Sequence, residues 1–183
     1  NNRQAGPGAG RDALTQRIVK ALRADPGLTA LALPRFFSVP IFNLAATGEH
    51  YGEHVDQARM PGLHGWPMRT DLSYTLFLAP PDSYDGGELR IRLPLRPADV
   101  KLPAGHLVVY DSTLPHAVQP VTRGERYGMA GWIESLVHSA RQRELLYRLS
   151  RHCAAMTELR PADAALHTEM SVLLQGFIKE LAG

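Results

Sequence analysis

The stretch "EHYGEHVDQA", residues 49 to 58, crowds two histidines and several acids into ten positions, and within it His54-Val55-Asp56 has the spacing of a metal half-site. In an extended strand, residues i and i+2 share a face, so His54 and Asp56 can aim an imidazole nitrogen and a carboxylate oxygen at one point. Any H-x-D does as much, and a third ligand is needed. His116, in "DSTLPHAVQPVTRGER", follows one apolar strand-like run and precedes another, at the mouth of an expected sheet. Two imidazoles and one carboxylate on one face of a metal suit ferrous iron and leave three positions open for a co-substrate and oxygen.

Arg126 lies ten residues beyond His116. A hairpin turning around Arg123 would set Arg126 opposite Pro120, on the face that carries His116. It would then lie roughly 13 Å deeper, at about 3.3 Å per residue. A five-carbon dicarboxylate held by the metal at one end would then meet the guanidinium at the other. A two-residue turn at Arg123-Gly124 would place the pair on opposite faces unless a bulge restored the register.

The elements that must position these groups are legible in outline. Arg11 to Ala24 sets Leu14, Ile18 and Leu22 on one helical face, and Asp25-Pro26-Gly27 is expected to end that helix. Asn1 to Gly10 reads as a mobile lead-in. From Arg35 the chain turns to short strand-like runs: 72–78, 88–93, 107–110, 117–121 and 127–133. They are broken by "APPDSYDGG", "LPLRPAD" and "TRGE". Short strands with Gly/Pro turns and no helix between them argue for an antiparallel jelly roll rather than βαβ units. After Ser135 helical periodicity returns, with Leu145, Leu149 and Cys153 in one row. A second helix begins near Pro161, with Leu166, Met170, Leu173, Leu174, Phe177 and Leu181 as its buried stripe. The expected organisation is therefore an N-terminal segment 1–34 with its helix, a jelly roll 35–135, and a C-terminal helical cap 136–183. The class is mainly β with helices: a double-stranded β-helix (jelly roll) barrel.

Composition sets limits. A chain of 183 residues that is 44% hydrophobic and 21% charged is one ordinary globular domain in size and character. Its net charge of +2 carries no nucleic-acid footprint, and no apolar run is long enough to span a bilayer. A single cysteine, Cys153, excludes an internal disulfide, fits a reducing compartment and points to the cytoplasm. No signal peptide is visible, although the chain opens at Asn1 rather than at a methionine.

The pieces "PIFNLAATGEHYGEHVDQA", "MRTDLSYTLFLAPPDSYDGGELRI", "KLPAGHLVVYDSTLPHAVQPVTRGER" and "GWIES" occur in this order over more than half the chain. Together they resemble the Fe(II)/2-oxoglutarate-dependent dioxygenases of the prolyl-4-hydroxylase type, and are most similar to the bacterial PKHD-type hydroxylases. The resemblance implies that His54, Asp56 and His116 hold Fe(II). It also implies that Arg126 pairs with the distal carboxylate of 2-oxoglutarate, and that Tyr51 lines the co-substrate pocket. The face of "SYTLF" carrying Ser73 and Thr75 is expected to line it too. Oxygen completes the set, with ascorbate as a further candidate, and no catalytic group beyond the metal centre is implied. Relatives often carry a tyrosine where this chain has Ala45, so a pocket contact is absent or supplied from elsewhere. The implied activity couples decarboxylation of 2-oxoglutarate to hydroxylation of a peptide, an amino acid or an iron-chelating metabolite. A helical tail of this kind also offers a surface for oligomers.

Three other readings compete, one of them a barrel whose triad is vestigial and which acts as an interaction module. Nucleic-acid demethylases of the same superfamily carry a second arginine six residues after the first, and here that position is Trp132, expected in the core. A cupin-like metal-binding sensor would hold metal without turnover. His50 and His64 flank the triad and are candidates to touch substrate. Trp66, in "PGLHGWPMRT", is either part of a mobile lid or a loop anchor.

Overall fold

A computed structural model of the chain describes residues 3–182; Asn1, Asn2 and Gly183, and with them the start of the expected mobile lead-in, lie outside the described residues. In chain order the elements begin with β1 (Arg3–Gln4), α1 (Ala9–Ala24), α2 (Pro26–Ala32), β2 (Pro34–Phe37), β3 (Ile41–Ala46), β4 (Tyr51–His54), β5 (Arg59–Pro61) and β6 (Pro67–Arg69). They continue with β7 (Leu72–Phe77), β8 (Tyr84–Gly86), β9 (Leu89–Ile91), β10 (Ala98–Val100), β11 (Leu107–Asp111), β12 (His116–Val118), β13 (Val121–Ser135), α3 (Ala140–Leu159) and α4 (Ala164–Ala182). The chain packs as two compact units. One comprises Asn1–Val19 with Phe36–Glu134, and the other Lys20–Arg35 with Ser135–Gly183.

The first unit holds all the strands that build the site. A large sheet runs β1-β3-β13-β7-β11, with β2 and β8 also pairing with β13, and a smaller sheet runs β10-β9-β12-β4. All the pairings with a resolved register among the described residues are antiparallel. The jelly roll read from the sequence is present as two sheets enclosing a cavity, not as a closed barrel. Strand β7 is buried along its whole length. Tyr74 packs edge-on against Phe37, while Ser73 and Thr75 line the cavity on the alternate face.

Three local expectations change. Arg3 and Gln4 form a strand paired to Leu44 and Asn43, so this part of the lead-in is held by backbone hydrogen bonds. Asp25-Pro26-Gly27 ends α1 but also starts α2: the Asp25 carboxylate accepts from the Leu28 backbone N–H at 2.7 Å, and Pro26 occupies the first turn. An N-terminal proline needs no hydrogen-bond donor there, so the same residues serve as stop and start. The runs 117–121 and 127–133 are not the two arms of a hairpin. β13 is one strand of 15 residues in the large sheet, and β12 belongs to the small sheet. Pro120, which has no N–H to offer a ladder, sits at the crossing between them.

In the second unit α3 is capped by Ser139, which accepts from Gln142 N–H, and α4 by Asp163, which accepts from Leu166 N–H. Leu33, Val137 and Leu146 form its core, with Leu174, Ile178 and Leu181 packed against it. The stripes expected for both helices are therefore rotated. Leu146 and not Leu145 is buried on α3, and Leu173 and Phe177 of α4 are exposed. Periodicity locates an apolar face only to within its width, and contact with Val137 selects the inner edge.

Candidate metal centre and anion pocket

His54 closes β4 and His116 opens β12, and the two are direct partners across that ladder, their ring centroids 4.3 Å apart. Each ring is held the same way. His54 Nδ1 lies 2.9 Å from the Gly52 carbonyl and His116 Nδ1 2.9 Å from the Leu114 carbonyl, so each donates to the carbonyl two residues earlier. That fixes the tautomer and leaves both Nε2 atoms as acceptors for a metal. Asp56 lies beyond the end of β4, so shared strand alternation does not place it. It is held instead by β7: Ser73 Oγ donates to Asp56 Oδ2 at 2.5 Å. His54 Nε2 stands 3.8 Å from Asp56 Oδ1 and His116 Nε2 3.7 Å from Asp56 Oδ2. The three ligand atoms lie within 4.8 Å of one another. Atoms each about 2.1 Å from one ion can be at most about 4.2 Å apart, so the two imidazole–carboxylate spacings fit a shared cation. Burial holds the His116 imidazole below its usual range, which favours the neutral ligand form.

The cluster opens into a cavity of about 390 Å³, and Arg126 lines the same cavity. Arg126 sits directly opposite Ala45 on β3, not opposite Pro120. Its side chain runs back along the inner face of β13: a Cβ on Gly128 would lie 2.9 Å from Nη1. Nη1 donates to Asn43 Oδ1 at 3.1 Å and Nε to the Gly87 carbonyl at 2.9 Å, with the Phe77 ring 5.5 Å from the guanidinium carbon. Gly87 holds its carbonyl there at φ +67°, a conformation that favours glycine, and a Cβ on it would press on Arg126 Cδ at 3.1 Å. Arg126 is 2% exposed and has no carboxylate partner among the described residues. Burial pulls its pKa down from the usual arginine range, yet a guanidinium stays charged in a protein. A buried cation with only neutral acceptors around it is poised for an anion.

The other expected site residues fall as follows. Tyr51 lies at the cavity mouth with its ring edge-on to His54 at 4.5 Å. Thr75 lines the cavity, while Ser73 reaches it mainly as the partner of Asp56. Ala45 packs with Ala79, Tyr84 and Val121 and does not line the cavity. His64 stacks on Phe36 at 4.1 Å, and its Nδ1 accepts from Trp66 N–H. Neither His50 nor His64 lines the cavity. Trp66 is 73% exposed, on a loop tied down by Gly62 N–H to the Trp66 carbonyl and Leu63 N–H to the Phe37 carbonyl. It is a presented aromatic, not a loop anchor.

Asn43 and Tyr110 line the cavity without having been singled out from the sequence, and Trp132 lines it as well. Trp132 follows Arg126 by six residues, an even spacing that puts both on one strand face. That parity was available in the sequence; Trp132 is buried as expected and also forms part of the cavity wall, and its indole N–H has no partner among the described residues. Tyr110 offered only its place at the end of an apolar strand. Asn43 offered no signal, because its partner is 83 residues away.

The family model for the 2OG-Fe(II) oxygenase superfamily matches residues 41–134. A PKHD-type hydroxylase of Klebsiella pneumoniae subsp. pneumoniae is 50% identical over 139 residues, 75% of this chain and 62% of the relative. One from Maricaulis maris is 41% identical over 178 residues, 95% of this chain and 79% of the relative. The chain thus spans less than two thirds of the Klebsiella protein. Among solved structures, a Pseudomonas putida prolyl-4-hydroxylase is 30% identical, covering 73% of this chain and 71% of that one with a TM-score of 0.49.

Proposed function

Since the chain belongs to the 2OG-Fe(II) oxygenase superfamily, and within it to the PKHD-type hydroxylases, we propose that it is a hydroxylase using Fe(II), 2-oxoglutarate and oxygen. His54, Asp56 and His116 would hold the iron, which when bound supplies the oxygen activation that couples decarboxylation of 2-oxoglutarate to hydroxylation of a C–H bond. The chain's own contribution is placement. Ser73 aims the Asp56 carboxylate, and the Gly52 and Leu114 carbonyls hold the imidazoles. Arg126 neutralises the far carboxylate of 2-oxoglutarate through a charge-assisted pair, and so sets which end faces the metal. Ile41, Met60, Val118 and Trp132 supply apolar surface to the cavity wall. The substrate is a small molecule or peptide that enters past Tyr51 and Val55.

The observation that carries this reading is the buried, acid-free guanidinium of Arg126 in the cavity that also holds the imidazole–carboxylate cluster. A cupin-like sensor that only held metal would have no use for that charge, and is not favoured. The test is succinate release on supply of Fe(II), 2-oxoglutarate and oxygen, with candidate peptides and metal-chelating small molecules screened for a gain of one oxygen. Arg126→Met should keep its metal and lose 2-oxoglutarate affinity by roughly two orders of magnitude. Undiminished affinity in that variant would remove Arg126 from its role.

A further inference from the structure

His54 and His116 face each other across the β4–β12 ladder, but Asp56 lies past the end of β4 and belongs to none of the described strands. Ser73 ties down the carboxylate end of that residue. The backbone just beyond it is held by Thr70. Thr70 Oγ1 donates to the Gln57 carbonyl at 2.5 Å, and the Thr70 backbone N–H donates to the Ala58 carbonyl at 3.3 Å. These two bonds close the base of the β5–β6 hairpin immediately after Asp56.

Thr70 is itself a fixed post. It is buried, in the link between β6 and β7, and its own carbonyl accepts from the Ser112 hydroxyl just past the end of β11. Both of its neighbours are tied to β13. The Arg69 backbone N–H donates to Glu134 Oε2 at 2.8 Å, and the Asp71 backbone N–H donates to the Ile133 carbonyl at 3.1 Å. The N–H, the carbonyl and the hydroxyl of Thr70 are therefore all engaged. A β-branched side chain has few χ1 choices, so the hydroxyl is aimed at Gln57 at little entropic cost.

We infer that Thr70 is a positioning residue for the metal carboxylate. It sets the backbone from which Asp56 reaches the cluster, as Ser73 sets the carboxylate itself. The inference rests on the reading that His54, Asp56 and His116 hold a divalent metal. Without the Thr70 hydroxyl the Ser73–Asp56 bond remains, but the chain beyond Asp56 loses a fixed end. The carboxylate is then free to drift from its places 3.8 Å from His54 Nε2 and 3.7 Å from His116 Nε2. The imidazoles keep their own holds on the Gly52 and Leu114 carbonyls, so the effect falls on one ligand of the three.

The experiment is titration of Co(II) into the metal-free protein, without oxygen or 2-oxoglutarate. The visible absorption of the bound ion is followed, and the affinity is taken from competition with a chelator. Thr70→Val keeps the branched shape and removes the donor. It should weaken Co(II) roughly 10-fold, the lower end of what loss of an outer partner costs, and change the visible spectrum as the carboxylate moves. Thr70→Ser restores the donor and should return affinity and spectrum close to wild type. A role in stability alone would lower the melting temperature of metal-free Thr70→Val with its affinity and spectrum unchanged, and that result would overturn the proposal. So would an equal loss in Thr70→Ser, which would place the effect in the methyl group. Wild-type protein that binds no Co(II) is a different result, and would remove the metal reading on which the inference stands.

Discussion

Asn43 Oδ1 accepts from Arg126 Nη1 at 3.1 Å, and the two residues come from neighbouring strands on either side of a glycine gap. Asn43 faces Gly128, and it is over Gly128 that the guanidinium lies. A neutral amide at this point orients the cation without neutralising it. Substitutions here should therefore act in a chemically specific way. Asn43→Ala should weaken 2-oxoglutarate by roughly 10-fold through a loosened guanidinium. Asn43→Asp should abolish binding by supplying the carboxylate internally, with the melting temperature held or raised. Equal affinities for the two variants, measured by calorimetry on the metal-loaded protein, would show that the amide only fills space.

Gly128→Ala tests the same corridor by volume. The new methyl group would lie 2.9 Å from Nη1, so the guanidinium must leave Asn43. We expect weaker 2-oxoglutarate binding with metal affinity intact, and a stability loss of about 1–3 kcal/mol by chemical denaturation.

Ser73→Ala removes the donor that holds Asp56 while leaving all three metal ligands present. Loss of such an outer partner typically costs about 10- to 100-fold in metal affinity, whereas Asp56→Ala should abolish tight binding altogether. Competition with a chromophoric chelator separates the two, and wild-type affinity in Ser73→Ala would show that Asp56 needs no clamp.

Ala45→Tyr would place a large ring opposite Arg126, where Tyr84 and Val121 already fill the space. Overpacking should cost about 1–3 kcal/mol, and a second change, Tyr84→Val, should recover part of it. Additive losses in the double variant would mean that the two rings do not compete for one volume.

The His116 imidazole gives the metal-free protein a pH dependence of known sign. Burial holds its folded pKa below the ordinary 6.5. Below 6.5 the unfolded chain takes up a proton that the folded chain resists, so stability falls with pH until the folded value is passed, and levels off beneath it. Thermal melts of metal-free protein between neutral and mildly acidic pH should show this decline, and His116→Asn should flatten it.

Residue chemistry and short-range spacing were enough to single out His54-x-Asp56, His116 and Arg126 and to read the jelly-roll class, because ligand type, alternation and turn residues are written along the chain. Those same signals misplaced Arg126. They assigned it to a hairpin with the His116 strand, when Pro120 sends the two strands into different sheets. Ser73 clamping Asp56 across 17 positions, Asn43 holding Arg126 across 83, and Tyr110 standing against His116 were decided only by the fold. The physical reason is that a strand's periodicity tells which side chains share a face, but the strand beside it is chosen by long-range pairing and burial. Three of the contacts that orient the metal ligands and the guanidinium are of that kind.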